Sequence, residues 1–220
     1  RRWNLEKPYS EQDPDPGHAS KVLDMVFTDD GKRLLSVGWG QSPRLWNVAK
    51  GELEWKMEPM RGASLHAAAM DHDGRHALAL SYRNGIGFWD LETRKVTPPK
   101  FLALPNALTV AISPNGDRGL IGNGDGMVLL LDLVTRETLD QHWCPGGPVL
   151  ATSFLDSEHA VVVSLNGNVY SWEFGQQAML HRNVPGGLPT PLPIRLAIDG
   201  NHVLALSTDG GVYLVGLDQG

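Results

Sequence analysis

Apolar positions along this chain fall in short runs separated by glycine-containing turns, and no segment keeps a sustained helical period. Runs such as VLDMVF, ALALS, VLLLDL, AVVVS and VLALS are rich in aliphatic and β-branched residues and are bounded by turn pairs, so they read as strands. The turn pairs are Asp30-Gly31, Asp73-Gly74, Asn84-Gly85, Asn115-Gly116, Asp125-Gly126, Asn166-Gly167 and Asp209-Gly210. Asn and Asp tolerate positive φ and Gly adopts it freely, so each pair favours a tight hairpin. The pattern predicts an all-β chain of consecutive hairpins.

The runs also recur at a fixed distance. Trp3-Asn4, Trp46-Asn47, Trp89-Asp90, Leu131-Asp132, Trp172-Glu173 and Val215-Gly216 close successive units at spacings of 43, 43, 42, 41 and 43 residues. A second column, Phe27, Met70, Ile112, Phe154 and Ile198, holds nearly the same period, at 43, 42, 42 and 44. A β-sandwich, the alternative all-β architecture, need not repeat in this way, whereas a β-propeller must. The expected fold is therefore a propeller of four-stranded antiparallel blades, with about five units near 13–57, 58–101, 102–143, 144–182 and 183–220. Inner strands are expected at 22–28, 65–71, 108–113, 149–154 and 194–198. Ala69, Ala111, Ser153 and Ala197 form a small column expected at the crowded inner rim, with Met70, Ile112, Phe154 and Ile198 turned between blades. The chain opens on Arg1 with RRWNL, which reads as the middle of a unit. Five units with ragged ends lead to the expectation of an arc of a larger, about seven-bladed ring within a longer chain. Closure as a five-bladed ring is the alternative.

FTDDGKRLLSVGWGQSPRLWNV, HDGRHALALSYRNGIGFWDLETRK and SPNGDRGLIGNGDGMVLLLDLVTRE, with Gly17-His18 ahead of the first, resemble repeats of the WD (tryptophan-aspartate) family. The resemblance covers nearly the whole chain. It implies structural roles for His18, Ser36, Trp46, Trp89, Asp125, Trp172 and Asp209 in the buried His–Asp–Ser–Trp hydrogen-bond set of that family. No unit carries the full set. Gly40 stands where the first Asp belongs, Leu131 and Val215 replace Trp, and Ser164 with Asn166, and Ser207 with Asp209, supply partial sets. Such departures describe a divergent array, of a kind bacteria could carry, that leans more on apolar contact. A quinoprotein-like propeller is the nearest competing name.

Composition narrows the function. The 220 residues carry a net charge of −6 with no basic block, which disfavours a nucleic-acid partner. No apolar run is long enough to cross a bilayer, and there is no signal-like start. The single Cys144 fits a reducing compartment, and a cytoplasmic location is expected. His66, His72 and His76 lack metal-binding spacing, and no cofactor loop is found, so no metal and no cofactor are expected. Asp71-His72-Asp73 reads as turn chemistry, and Cys144 has no activating neighbour. Asp24 and Arg195 are the main ionisable residues expected on inner strands.

Trp39 stands apart from the repeat columns, in the turn between second and third strands. In WD-repeat proteins this row, here Trp39, Arg83, Gly124, Leu165 and Thr208, looks onto the partner-binding face. Trp39, Tyr82 and Arg83 form the candidate contact cluster, because Trp, Tyr and Arg most often anchor interfaces. Trp143 and His142 are secondary candidates. The expected function is a non-catalytic protein–protein interaction scaffold, with the regulatory or assembly module of a longer chain as one form it could take. A propeller enzyme or a cofactor-binding propeller is the alternative.

Overall fold

The computed structural model describes residues 18–58, 64–81, 85–97, 104–182, 193–199, 202–207 and 212–216, and every regular element among them is a strand. Apolar alternation lets each hairpin bury side chains on both of its faces. The first sheet holds β1 (Val22–Phe27), β2 (Arg33–Gly38), β3 (Arg44–Asn47) and β4 (Glu52–Lys56). The second holds β5 (Leu65–Met70), β6 (His76–Ser81), β7 (Gly85–Asp90) and β8 (Lys95–Thr97). The third holds β9 (Ala107–Ile112), β10 (Arg118–Asn123), β11 (Met127–Asp132) and β12 (Thr138–Trp143). The fourth holds β13 (Val149–Phe154), β14 (His159–Ser164), β15 (Val169–Glu173) and β16 (Leu180–Arg182). The fifth shows β17 (Pro193–Asp199), β18 (His202–Ser207) and β19 (Val212–Gly216). Each sheet is an antiparallel meander in sequence order, and these are blades one to five.

The apolar core lies in the seams between blades. Leu35, Val37 and Leu45 of blade one meet Ala77, Ala79 and Trp89 of blade two. Leu78, Leu80 and Ile86 of blade two meet Ile121, Leu129 and Leu131 of blade three. Leu120, Val128 and Leu130 of blade three meet Ala160, Val162 and Trp172 of blade four. Each blade thus turns one face to the preceding blade and the other to the following one, as stacked repeats require.

This arrangement corrects one expectation. Ala69 and Ala111 do not line an inner rim: they pack in the seam toward the following blade, while Met70, Ile112 and Phe154 pack toward the preceding one. Small residues serve there because bulky ones arrive from the neighbouring sheet.

Polar groups also cross the seams. Asp24 on β1 accepts the Ala68 amide of β5 at 2.9 Å, and His66 Nε2 lies 2.9 Å from the Ala107 carbonyl on β9. Arg33, first residue of β2, donates to the Gly74 carbonyl of blade two, and Arg118, first residue of β10, donates to the Ser157 carbonyl of blade four. Gly116 shows why one turn needs glycine. Its φ is +76°, and a Cβ there would stand 2.6 Å from Asp71 Oδ2 across the seam.

Several apolar side chains on the outer faces of the array are exposed. Leu35, Leu78, Leu120 and Val161 are fully buried, yet Leu204, at the matching place in blade five, is 42% exposed. Leu214 beside it, and Met25 and Phe27 on the far side of blade one, are exposed as well. No helix of the described residues is long and apolar enough to cross a membrane.

Candidate protein-binding face

The repeat tryptophans are held in two ways. In blade one, Ser36 Oγ accepts from Trp46 Nε1 at 2.8 Å and from His18 Nε2 at 2.7 Å. The buried Arg44 guanidinium donates to His18 Nδ1 at 2.9 Å, which makes Nδ1 the acceptor and leaves Nε2 to carry the proton. Arg44 thus takes up the His nitrogen that the family pattern would give to an Asp. In blades two and four the positions matching Ser36 are Ala79 and Val162. Trp89 and Trp172 are fully buried there, with indole N–H groups that find no partner among the described residues. Arg44 was not singled out in the sequence. The signal was a charge in a column otherwise occupied by Gly87, Leu129 and Tyr170.

Strand register overturns two of the partial sets. Ala160 pairs with Trp172 and Val203 with Val215, so Val162 and Ala205 match Ser36. Ser164 and Ser207 fall two residues further along, beside Gly38. Asp125 is exposed at the β10–β11 turn, where the buried Asn123 side chain binds the Asp125 and Met127 amides. Asp209 lies outside the described residues.

The WD-position acids have a local task. Asp90 accepts the Thr93 and Glu92 amides, and Asp132 accepts those of Thr135 and Val134. The Thr93 and Thr135 amides are the main reason both carboxyls sit below their ordinary range. They close the turn between third and fourth strands.

Trp39 occupies the β2–β3 turn, its amide bonded to the Lys21 carbonyl and its side chain 57% exposed. Tyr82 and Arg83 lie outside the described residues. The same blade end carries exposed Leu165 in the β14–β15 turn and Trp143 at the end of β12, 63% exposed. Trp143 is two blades from Trp39, so the two indoles share an end and not a cluster. His142 turns inward, its ring edge-to-face with Trp172 at 4.9 Å. Carboxylates gather at the opposite end, where Asp29, Asp30, Asp71, Asp73, Asp117 and Asp156 sit in or beside first hairpin turns.

The remaining candidate chemistry is absorbed by structure. Asp71 accepts the Arg75 and His76 amides and lies 2.8 Å from His76 Nδ1. His72 pairs with Asp29 across the first seam, and this hydrogen bond raises the imidazole pKa above its ordinary value. Burial lowers the pKa of His66. Cys144 is buried, which pushes its thiol up to about 11. Among the described residues no group of three His, Cys, Asp or Glu side chains is placed to hold a metal ion. Arg195 lies on β17, with its side chain outside the description.

Comparison with known proteins fits this geometry. No protein-family model matches the chain. It is 24% identical over 216 residues to autophagy-related protein 16 of Arabidopsis thaliana, covering 93% of this chain and 41% of that one. It is 25% identical over 121 residues to THO complex subunit 3 of Arabidopsis thaliana, covering 53% and 38%. To the U3 small nucleolar RNA-associated protein 18 homolog of Mus musculus it is 26% identical over 156 residues, covering 69% and 28%. The chain therefore spans well under half the length of these relatives. The solved RRP9 WD40 repeats superpose with a TM-score of 0.76 at 18% identity, covering 92% of this chain and 62% of that chain. The structure of U3-55K superposes with a TM-score of 0.75 at 17% identity, covering 91% and 62%.

Proposed function

We propose that this array of WD-repeat propeller blades is a non-catalytic protein-interaction scaffold that meets its partner through the blade end carrying Trp39. The observation that carries this reading is the contrast among tryptophans. Trp89 and Trp172 are fully buried and Trp46 is hydrogen-bonded, while Trp39 leaves most of its indole in water. Keeping a large aromatic exposed is uneconomical unless something covers it, and Trp is among the commonest interface anchors. Tyr82 and Arg83, which follow β6 in the sequence and lie outside the described residues, complete the proposed contact. The partner is a protein, neutral or basic where it touches. A net charge of −6 argues against a phosphate backbone as ligand, although one relative is named as RNA-associated. Another is named as a subunit of a complex, in line with an assembly role.

The blades belong to a larger ring in this reading, as part of a longer cytoplasmic chain. Support comes from the 62% of each solved repeat structure that the chain covers.

Trp39→Ala combined with Arg83→Ala tests the contact. The double variant should keep the wild-type melting temperature and lose the protein that co-purifies with wild type. Unchanged recovery of that protein by a folded double variant would reject the Trp39 end.

A further inference from the structure

Each seam has a slot at the end opposite Trp39, where the second strand begins. At the first seam Arg33 fills it, binding Glu54 through two nitrogens at 3.2 and 2.7 Å and reaching the Gly74 carbonyl, with Leu45 its diagonal neighbour on β3. At the second, His76 stacks on Phe88 at 5.6 Å. At the third, Arg118 reaches the Ser157 carbonyl and lies over the Phe174 ring, with Leu130 its diagonal neighbour on β11.

On the face of blade four turned toward blade five, three substitutions leave the slot unfilled among the described residues. The position of Arg33 and Arg118 is His159, a shorter side chain whose Nδ1 turns back 2.9 Å from both Asp156 oxygens. The position of Leu45, Phe88 and Leu130 is Ser171. The WD-position acid is Glu173, one methylene longer than Asp90 or Asp132. Among the described residues its carboxylate receives only the Gln176 side-chain Nε2, at 3.4 Å, in place of two backbone turn amides. The result is a cavity of about 620 Å³ lined by Leu155, His159, Ser171, Glu173, Gln176 and Leu180. That volume lies in the range of ligand sites.

We propose that this cavity receives one arginine side chain of a partner protein, which takes at this seam the place that Arg33 and Arg118 take at theirs. The Glu173 carboxylate has acceptor capacity for a two-pronged guanidinium contact, and Ser171 and Gln176 add oxygen acceptors beside it. Leu155 and Leu180 form an apolar wall for the methylene stem, which gives the 69% exposed Leu180 a role. The site depends on the scaffold reading only in that the arginine comes from a partner. It lies at the end opposite Trp39, so the two contacts can fail separately.

The test is an amide-resolved NMR titration of the protein with N-acetyl-arginine amide, with the citrulline and norleucine amides as controls. Saturable shifts of the His159, Ser171 and Glu173 amides are expected with the arginine compound alone. Glu173→Gln should weaken binding at least about 10-fold, the factor that corresponds to 1.4 kcal/mol. Ser171→Leu, which restores the residue of blades one and three, should abolish saturation without lowering the melting temperature. Trp39→Ala should leave the titration unchanged. Absence of saturation in wild type, equal response to citrulline, or full binding by either cavity variant would overturn the proposal.

Discussion

In blade one Trp46 is half-buried and gives its indole N–H to Ser36, inside a polar chain that runs on through His18 to Arg44. In blade four Trp172 stands at the same repeat position, fully buried, among Val162, Leu120 and Val128, with no acceptor for its N–H among the described residues. The same architectural task is met by directed hydrogen bonds at one place and by apolar burial at the other. A repeat column specifies where an indole goes. Whether that indole is wired or simply buried depends on the residue ten positions earlier, Ser36 or Val162.

The largest effects should come from the buried tryptophans. Trp89→Ala and Trp172→Ala should each cost about 3–5 kcal/mol of stability, the usual range for a core aromatic. Trp46→Ala should cost less, because part of that ring already faces water. Chemical denaturation of the three variants checks the order, and equal losses would erase the distinction between the blades. Next comes Ser36→Ala, which strands the Trp46 and His18 donors and should cost about 1–3 kcal/mol. Val162→Ala and Trp172→Phe, which share packing but no hydrogen bond, should couple only through that packing, and more weakly, in a double-mutant cycle. Ser36→Ala and Trp46→Phe should couple, and additivity there would break the network account.

The smallest expected effects separate two seam histidines. Burial favours neutral His66, so its contribution is present above pH 6.5 and is lost as pH falls through its lowered folded-state pKa. Asp29 favours charged His72, so its contribution is present below pH 6.5 and is lost as pH rises through its raised folded-state pKa. Histidine titrations followed by NMR should place the two midpoints on opposite sides of 6.5. Both midpoints on one side would contradict the seam geometry.

Much of this architecture was legible because a repeat writes the same instruction several times. Two columns near a 43-residue beat and the Asn-Gly and Asp-Gly turns are local signals, and they led to antiparallel sheets and to Trp89 and Trp172 between them. Register was harder. Ser164 and Ser207 close their strands as Ser36 nearly does in blade one, and only cross-strand pairing shows the two-residue offset. Arg44 escaped notice because a buried guanidinium becomes intelligible only when the His18 ring is placed beside it. The reach of Arg33 and Arg118 into the next blade, and the cavity left by Ser171, exist only between repeats, where no single repeat encodes them. On the candidate face, the exposure of Trp39 followed from its departure from the repeat columns. Its separation from Trp143 did not, since distance around an array is invisible in a linear alignment.

The scaffold reading rests on one end of the blades being the contact surface. Hydrogen–deuterium exchange of the protein, alone and with a protein captured by the wild-type chain, tests this most directly. Slowed exchange concentrated in the turns around Trp39 and Leu165 is the expected result. Slowed exchange confined to the turns holding Asp30, Asp73 and Asp117, with none around Trp39, would contradict it.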